Sequence, residues 1–345
     1  MASLIIGGPP VARVQVRKLQ TTAGGTFIVT VPKEWVEKLG LKKGDFVSTE
    51  MEEDSLVLTP TDARHVGESR TLDVDRLKDK RLLELNITAS YIQGHDVTRI
   101  FSSGNKMQPH HKEWIRETLD GLMGVEITED YADHVSLLNL IDPTKFSPMS
   151  TIEQFSSASL AVLEDATKAL EEGDASLAKD ANIRGAEGVK LYNLVMRLAF
   201  QAARNRKLRE RMNISDVSSV IVMAIATREL GRIAYYATWI AQHVMELTAR
   251  PDPALVSVIR RMTDVTVEMQ RLAMKALLSR DIGAADAVFR KMPQVRQLYE
   301  SGYRLPAREN EERDAYHLAL ILRDIRGIAG YAVALADDAV LGMFR

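Results

Sequence analysis

The chain has 345 residues, 46% of them apolar and 27% charged, the make-up of an ordinary globular protein rather than a disordered one. Its 45 Lys and Arg against 47 Asp and Glu leave a net charge of −2, so no global basic field marks a nucleic-acid binder and any such surface must be local. The absence of cysteine excludes disulfide frameworks, thiolate nucleophiles and Cys-ligated zinc or iron–sulfur sites.

The length suggests two or three domains, at roughly 150 residues each. No stretch approaches the roughly 18–20 uninterrupted apolar residues of a spanning helix. Met1 to Pro10 is short and lacks a basic leader. A cytoplasmic protein is expected.

Residues 14–19 alternate and predict a strand. Thr21, Thr22, Ala23, Gly24 and Gly25 predict a turn, and the β-branched, aromatic run 27–31 a second strand that Pro32 ends. Residues 33–39 predict a short helix closed by Gly40. Residues 41–45 form another turn, and 46–51 with 55–60 a hairpin. About fifty residues so arranged bury too little apolar surface to be stable alone, so a second copy of the unit is the simplest partner. This order resembles the AbrB/SpoVT/MazE swapped-hairpin family. The resemblance rests on Val29-Thr30-Val31-Pro32-Lys33-Glu34-Trp35, Leu39-Gly40-Leu41-Lys42-Lys43-Gly44-Asp45-Phe46-Val47 and Leu56-Val57-Leu58-Thr59-Pro60. It implies an intertwined dimer that often binds DNA. Between Arg13 and Asp45 seven basic residues stand against three acidic ones, a surplus that could engage phosphates. The candidate DNA-contacting residues are Arg13, Arg17, Lys18, Lys33, Lys42 and Lys43. DNA-binding members often carry an arginine after the central glycine and basic residues in the short helix. Here Thr26 and Phe27 follow Gly25, and the helix shows Val36 and Glu37, so a unit that only dimerises stays open.

Residues 61–75 are polar and read as a linker. Helices over 77–92 and 109–122, and strands over 96–102, 125–127 and 134–141, suggest a small α/β connecting domain. Trp114, Ile115, Leu119 and Leu122 share one helix face. His110 and His111, adjacent on that helix, diverge by about 100° and are expected on the surface rather than as a metal pair.

From residue 151 the helical pattern is continuous and duplicated. Ala169-Leu170-Glu171-Glu172-Gly173-Asp174 recurs as Ala276-Leu277-Leu278-Ser279-Arg280-Asp281, and Leu191-Tyr192 as Leu298-Tyr299, both at an offset of 107 residues. Arg228 to Ala237 recurs as Arg323 to Ala332 at an offset of 95, with 202–212 expected as extra helix length in the first copy. Met262, Met269, Leu272 and Leu277 are expected in the core, and Gly231, Ala234, Ala237 and Ala241 on a face of close helix approach. The duplication, the A-L-x-x-x-D helix end, the L-Y pair and the R-x-x-x-I-A-x-Y-A final helix resemble the PhoU family. There, a Glu and an Asp on the final helix of each copy can hold metal ions. The matching positions are Gly231 and Tyr235 in the first copy and Arg326 and Gly330 in the second. Neutral and cationic groups cannot replace carboxylates, so no metal cluster is expected there. Arg197, Arg204, Arg206, Lys207, Arg209 and Arg211 are expected on one helix near its C-terminus, where the macrodipole favours cations, or facing an acidic partner.

The resulting expectation is a multidomain, mainly α protein. An AbrB-like swapped-hairpin domain covers 1–60, a linker and small α/β connecting domain 61–150, and two tandem PhoU-like three-helix bundles 151–250 and 251–345. This arrangement resembles the archaeal phosphate uptake regulators. The resemblance implies a DNA-binding transcriptional regulator of phosphate uptake or response, homodimeric through its first domain, with bundles that sense or bind a partner. The alternative is an adaptor that dimerises without touching DNA and binds a phosphate transporter or sensor protein. A third, weaker reading is the DNA-binding half of a toxin–antitoxin pair; the long helical C-terminus speaks against it. No P-loop, dinucleotide fingerprint, H-E-x-x-H or G-x-S-x-G motif is present, and neither catalysis nor a cofactor is expected.

Overall fold

A computed structural model describes residues 15–22, 24–52, 55–60, 69–77, 79–104, 106–305 and 312–343. The chain divides into two compact units, residues 1–66 and 67–345.

In the first unit, β1 (Gln20–Thr21) pairs antiparallel with β2 (Phe27–Ile28) around a turn in which Gly25 takes φ +79°. The strand expected over 14–19 is not found: residues 15–19 are irregular, residue 14 lies outside the described residues, and pairing starts at Gln20 and includes Thr21 of the expected turn; the strand expected over 27–31 is reduced to Phe27–Ile28. A ladder needs a partner, and this chain supplies one for that stretch alone. Pro32 opens the helix α1 (Lys33–Lys38). Its end is a complete Schellman turn: Gly40 N–H donates to Glu37 O (3.1 Å) and Leu41 N–H to Val36 O (3.0 Å). The Leu-Gly-Leu sequence exists for this turn. Strands β3 (Val47–Glu52) and β4 (Ser55–Pro60) form the expected antiparallel hairpin.

The second unit begins with a four-stranded sheet ordered β5-β6-β8-β7, formed by β5 (Ser69–Asp73), β6 (Val97–Phe101), β7 (Val125–Asp130) and β8 (His134–Asn139). Strand β5 corrects the linker reading of 61–75 over residues 69–73; residues 61–68 lie outside the described residues. It is an edge strand that buries Leu72 and little else, so its sequence looks polar. β5 and β6 run parallel, and their crossover carries α2 (Lys80–Ile92), started by the Asp79 side chain accepting from Leu82 N–H (2.8 Å). Leu83, Ile87 and Tyr91, four residues apart, pack with Ile100, Val135, Leu137 and Ile115 into one core. Ile115 belongs to α3 (Pro109–Leu119), on which His110 is exposed and His111 half-buried.

The rest is helical: α4 (Pro148–Glu172), α5 (Ala175–Arg204), α6 (Arg206–Arg211) and α7 (Val217–Met245), then α8 (Pro253–Ser279), α9 (Ile282–Gly302) and α10 (Glu312–Leu341). The two three-helix sets share one hydrophobic core, in which α7 packs on α10 and α4 on α8. Met262, Met269 and Leu277 are buried and Leu272 partly so. The repeated Asp of the A-L-x-x-x-D motif has a structural cause: Asp174 starts α5 by accepting from Ser176 and Leu177 N–H, and Asp281 starts α9 by accepting from Ala284 N–H. Residues 202–212 are not extra helix length. The backbone leaves the helix at Asn205, whose side chain accepts from Leu208 N–H (3.0 Å) and starts the separate α6. Among the described residues no helix is long and apolar enough to cross a membrane.

The expected basic run is therefore split between two helices, and its first member has another role. Arg197 is fully buried. It donates to the backbone carbonyls of Tyr91 (2.6 Å), His95 (3.2 Å) and Gly94 (3.3 Å), while Arg204 donates to that of Gln93 (3.0 Å). These oxygens lie at the C-terminal end of α2, where Gly94 takes φ +95°, so α5 caps the helix of the neighbouring α/β layer.

Candidate functional site

Two regions hold the candidate residues. In the first unit, no described residue from 15 to 60 with an assigned exposure is buried. Large apolar side chains stand open, Val16 at 92% and Phe46 at 80%, with Leu19, Phe27, Met51 and Leu56 also exposed. Arg17 and Lys18 precede β1, Lys33 opens α1 and is paired with Glu37 (3.3 Å), and Lys42 and Lys43 occupy the turn in which Asp45 accepts from Lys42 N–H (2.6 Å). All five are exposed, at three separate places in the unit. Arg13 lies outside the described residues.

The second region is a groove of about 640 Å³ in the first bundle, between α5 and α7 with Phe155 of α4 beneath. The two helices touch at Gly185, where a β-carbon would stand 2.2 Å from Thr238 Oγ1, and Asn182 donates to Thr238 O (3.2 Å). From that contact the groove opens past Tyr192, Gly231, Ala234, Tyr235 and Trp239 to Arg228 and Arg232. Gly231 lets the Tyr192 ring of α5 lie close against α7, since a β-carbon there would stand 3.1 Å from the ring, and Tyr192 forms part of the groove wall. The small-residue face of α7 serves helix packing as expected: Ala237 and Ala241 are buried, Ala234 packs on the core and Gly231 against Tyr192, while Gly231 and Ala234 also border the groove.

In the second bundle the corresponding groove position is filled. Arg326 takes the place of Gly231, and its guanidinium sits 4.8 Å from the centroid of Tyr299, the counterpart of Tyr192.

The model of the PhoU domain matches residues 152–244 and 259–339, just over half of the chain. The chain belongs to the PhoU family. The model described as antidote-toxin recognition MazE, bacterial antitoxin, matches residues 20–64, so this PhoU protein carries a MazE/AbrB-like domain at its N-terminus. Among solved structures, PhoU from Pseudomonas aeruginosa is 16% identical over 56% of this chain and 93% of that one, at a TM-score of 0.49. The phosphate transport system regulatory protein PhoU from Streptococcus pneumoniae is 15% identical over 56% and 91%, at 0.46. No curated protein matches.

The PhoU resemblance places metal-holding carboxylates at 231 and 235 and at 326 and 330, and the side chains there do not fit a metal. Gly231 offers no donor, Tyr235 a neutral phenol, Arg326 a cation and Gly330 nothing. Among the described residues no three His, Asp or Glu converge on a point.

The groove itself was not legible as a site in the sequence. One signal was present: Arg228 and Arg232 stand one helical turn apart, a like-charge spacing that costs an isolated helix a few tenths of a kcal/mol.

Proposed function

We propose that this PhoU-family chain is a DNA-binding regulator of phosphate uptake or the phosphate response, cytoplasmic and without catalytic activity. In this reading residues 1–60 dimerise and contact DNA, 61–150 connect, and the bundles at 151–250 and 251–345 sense a signal or bind a transporter or sensor protein. The observation that supports it most is the uncovered apolar surface of the N-terminal unit. An unburied hairpin-and-helix module gains its core by interleaving with a second copy, which doubles a cationic surplus that Arg17, Lys18, Lys42 and Lys43 carry into solvent. Lys33, already paired with Glu37, contributes less. That pairing and the lack of net positive charge on α1, two lysines against two glutamates, favour the second reading, an adaptor that dimerises without binding DNA.

The test is fluorescence anisotropy of a labelled duplex with the full chain between about 50 and about 200 mM salt, where counterion release makes phosphate-dominated binding fall by orders of magnitude. Substituting Arg17, Lys18, Lys42 and Lys43 by Ala should flatten that dependence and weaken binding at least tenfold, while sedimentation still shows a dimer. Binding absent at low salt, or indifferent to salt, leaves the adaptor.

A further inference from the structure

We infer that the α5–α7 groove of the first bundle is a binding site for a mononucleotide, with phosphates at Arg228 and Arg232 and the base against Tyr235 and Trp239. The inference stands on the bundle alone and assumes nothing about DNA.

Charge gives the sign of the ligand. No carboxylate lines the groove, and two exposed arginines do. Neither makes a hydrogen bond or ion pair among the described residues, although most arginines of the helical region do. Unpaired guanidiniums with fixed forks suit phosphate oxygens and repel a metal ion.

Size and surface give the rest of it. About 640 Å³ lies within the range of small-molecule sites and greatly exceeds what inorganic phosphate occupies. Away from the arginines the lining is mainly apolar and aromatic, and Tyr235 and Trp239 remain 53% and 42% exposed. Flat rings left half open on a groove wall are stacking surfaces for a base.

Spacing joins the two ends. Residues 228, 232, 235 and 239 fall on one face of α7, at successive intervals of four, three and four. At 1.5 Å per residue, Trp239 lies about 10 Å beyond Arg232 and about 16 Å beyond Arg228. A nucleoside di- or triphosphate laid along the helix bridges that interval; a free phosphate or a bare nucleoside reaches one end only.

The experiment is equilibrium dialysis of the full chain with ATP, ADP, AMP, GTP, adenosine and inorganic phosphate, paralleled by tryptophan quenching with Trp239→Phe as the control. A nucleoside di- or triphosphate is expected to bind once per chain and at least tenfold more tightly than adenosine or phosphate. The double variant R228A/R232A should lose at least tenfold in affinity for the phosphorylated ligands. Gly231→Arg, which imports the closed arrangement of the second bundle, should abolish binding; circular dichroism and a thermal melt of each variant establish that the helices persist. The inference is overturned if no nucleotide binds at millimolar concentration. It is equally overturned if phosphate alone binds as tightly as any nucleotide, or if affinity is unchanged in folded R228A/R232A.

Discussion

Tyr192 and Tyr299 occupy the same place in the two bundles, yet the first packs against Gly231 on the wall of an open groove while the guanidinium of Arg326 lies over the second. The same contrast recurs elsewhere in the duplication. Arg197 is fully buried against α2, and its counterpart Arg304, 107 residues on, is exposed beyond the end of α9. His243 of α7 lies 3.7 Å from Asp324 of α10. The positions related to these by the 95-residue offset are Asp338 and Glu229, so the repeat places a His–Asp pair at one crossing of the two helices and a pair of carboxylates at the other. The shared core constrains the apolar positions of both copies, even though α5 runs 30 residues and α9 21. Side chains at the rim of that core are free to diverge.

The largest test of the contrast is at Arg197. Arg197→Ala leaves the buried carbonyls of Tyr91, Gly94 and His95 without their donor and opens a cavity, and should destabilise by about 3–4 kcal/mol. Arg304→Ala should stay within about 0.5 kcal/mol. Urea unfolding of the full chain measures both. Equal effects would mean that the docking of α5 on the α/β layer does not depend on this residue.

The two helix crossings should differ next in their response to pH. Burial, with His317 and Arg323 nearby, holds the His243 ring down to about 4 from 6.5. The unfolded chain then binds the extra proton across that window, and this group's contribution to stability falls as pH drops through it. Burial and the charges of Glu229 and Asp337 push Asp338 up to about 6 from 3.8. There the folded chain holds the extra proton, so stability falls as pH rises through the window. The two contributions oppose each other over nearly the same range. Asp338→Asn should stabilise by about 2 kcal/mol at neutral pH and leave stability near pH 4 unchanged: the separation at roughly 1.4 kcal/mol per pH unit gives about 3 kcal/mol, which solvent screening of the half-exposed carboxyl lowers. It should also uncover the acid sensitivity of His243, which His243→Asn removes. Melting temperatures between pH 4 and pH 7 read all three chains.

What the sequence disclosed and what it hid divide along a physical line. Local signals were legible: the Leu-Gly-Leu Schellman turn, the β3–β4 hairpin, and the Asp174 and Asp281 caps each depend on a few neighbouring residues. The PhoU and MazE-like regions were legible because such signals recur in fixed order. Strand β5 was hidden because an edge strand with one buried residue carries no hydrophobic alternation. Arg197 was hidden for a different reason. Its partners are about a hundred residues away, and only the packed structure shows that a basic residue near a helix end caps a different helix. The groove was hidden because it arises from what is missing at Gly231, and an absent side chain has no periodicity.

The smallest test concerns the turn that ends the first helix of each bundle. Gly173 takes φ +69° and costs nothing there, whereas Arg280 is held at φ +52°, a left-handed conformation that a side chain disfavours by about 1 kcal/mol. Arg280→Gly relieves that strain but loosens the unfolded chain, so the net gain should be about 0.5 kcal/mol. The reciprocal Gly173→Arg should cost more than this gain. A β-carbon at 173 would stand 3.0 Å from Arg250 Nε, and Arg250 donates to Glu172 O (2.8 Å) at the same helix end. Chemical denaturation midpoints of the two variants should therefore move in opposite directions. A gain from both would show that the turn of the first bundle has room that Arg250 does not fill, and that the copies differ there by history rather than by strain.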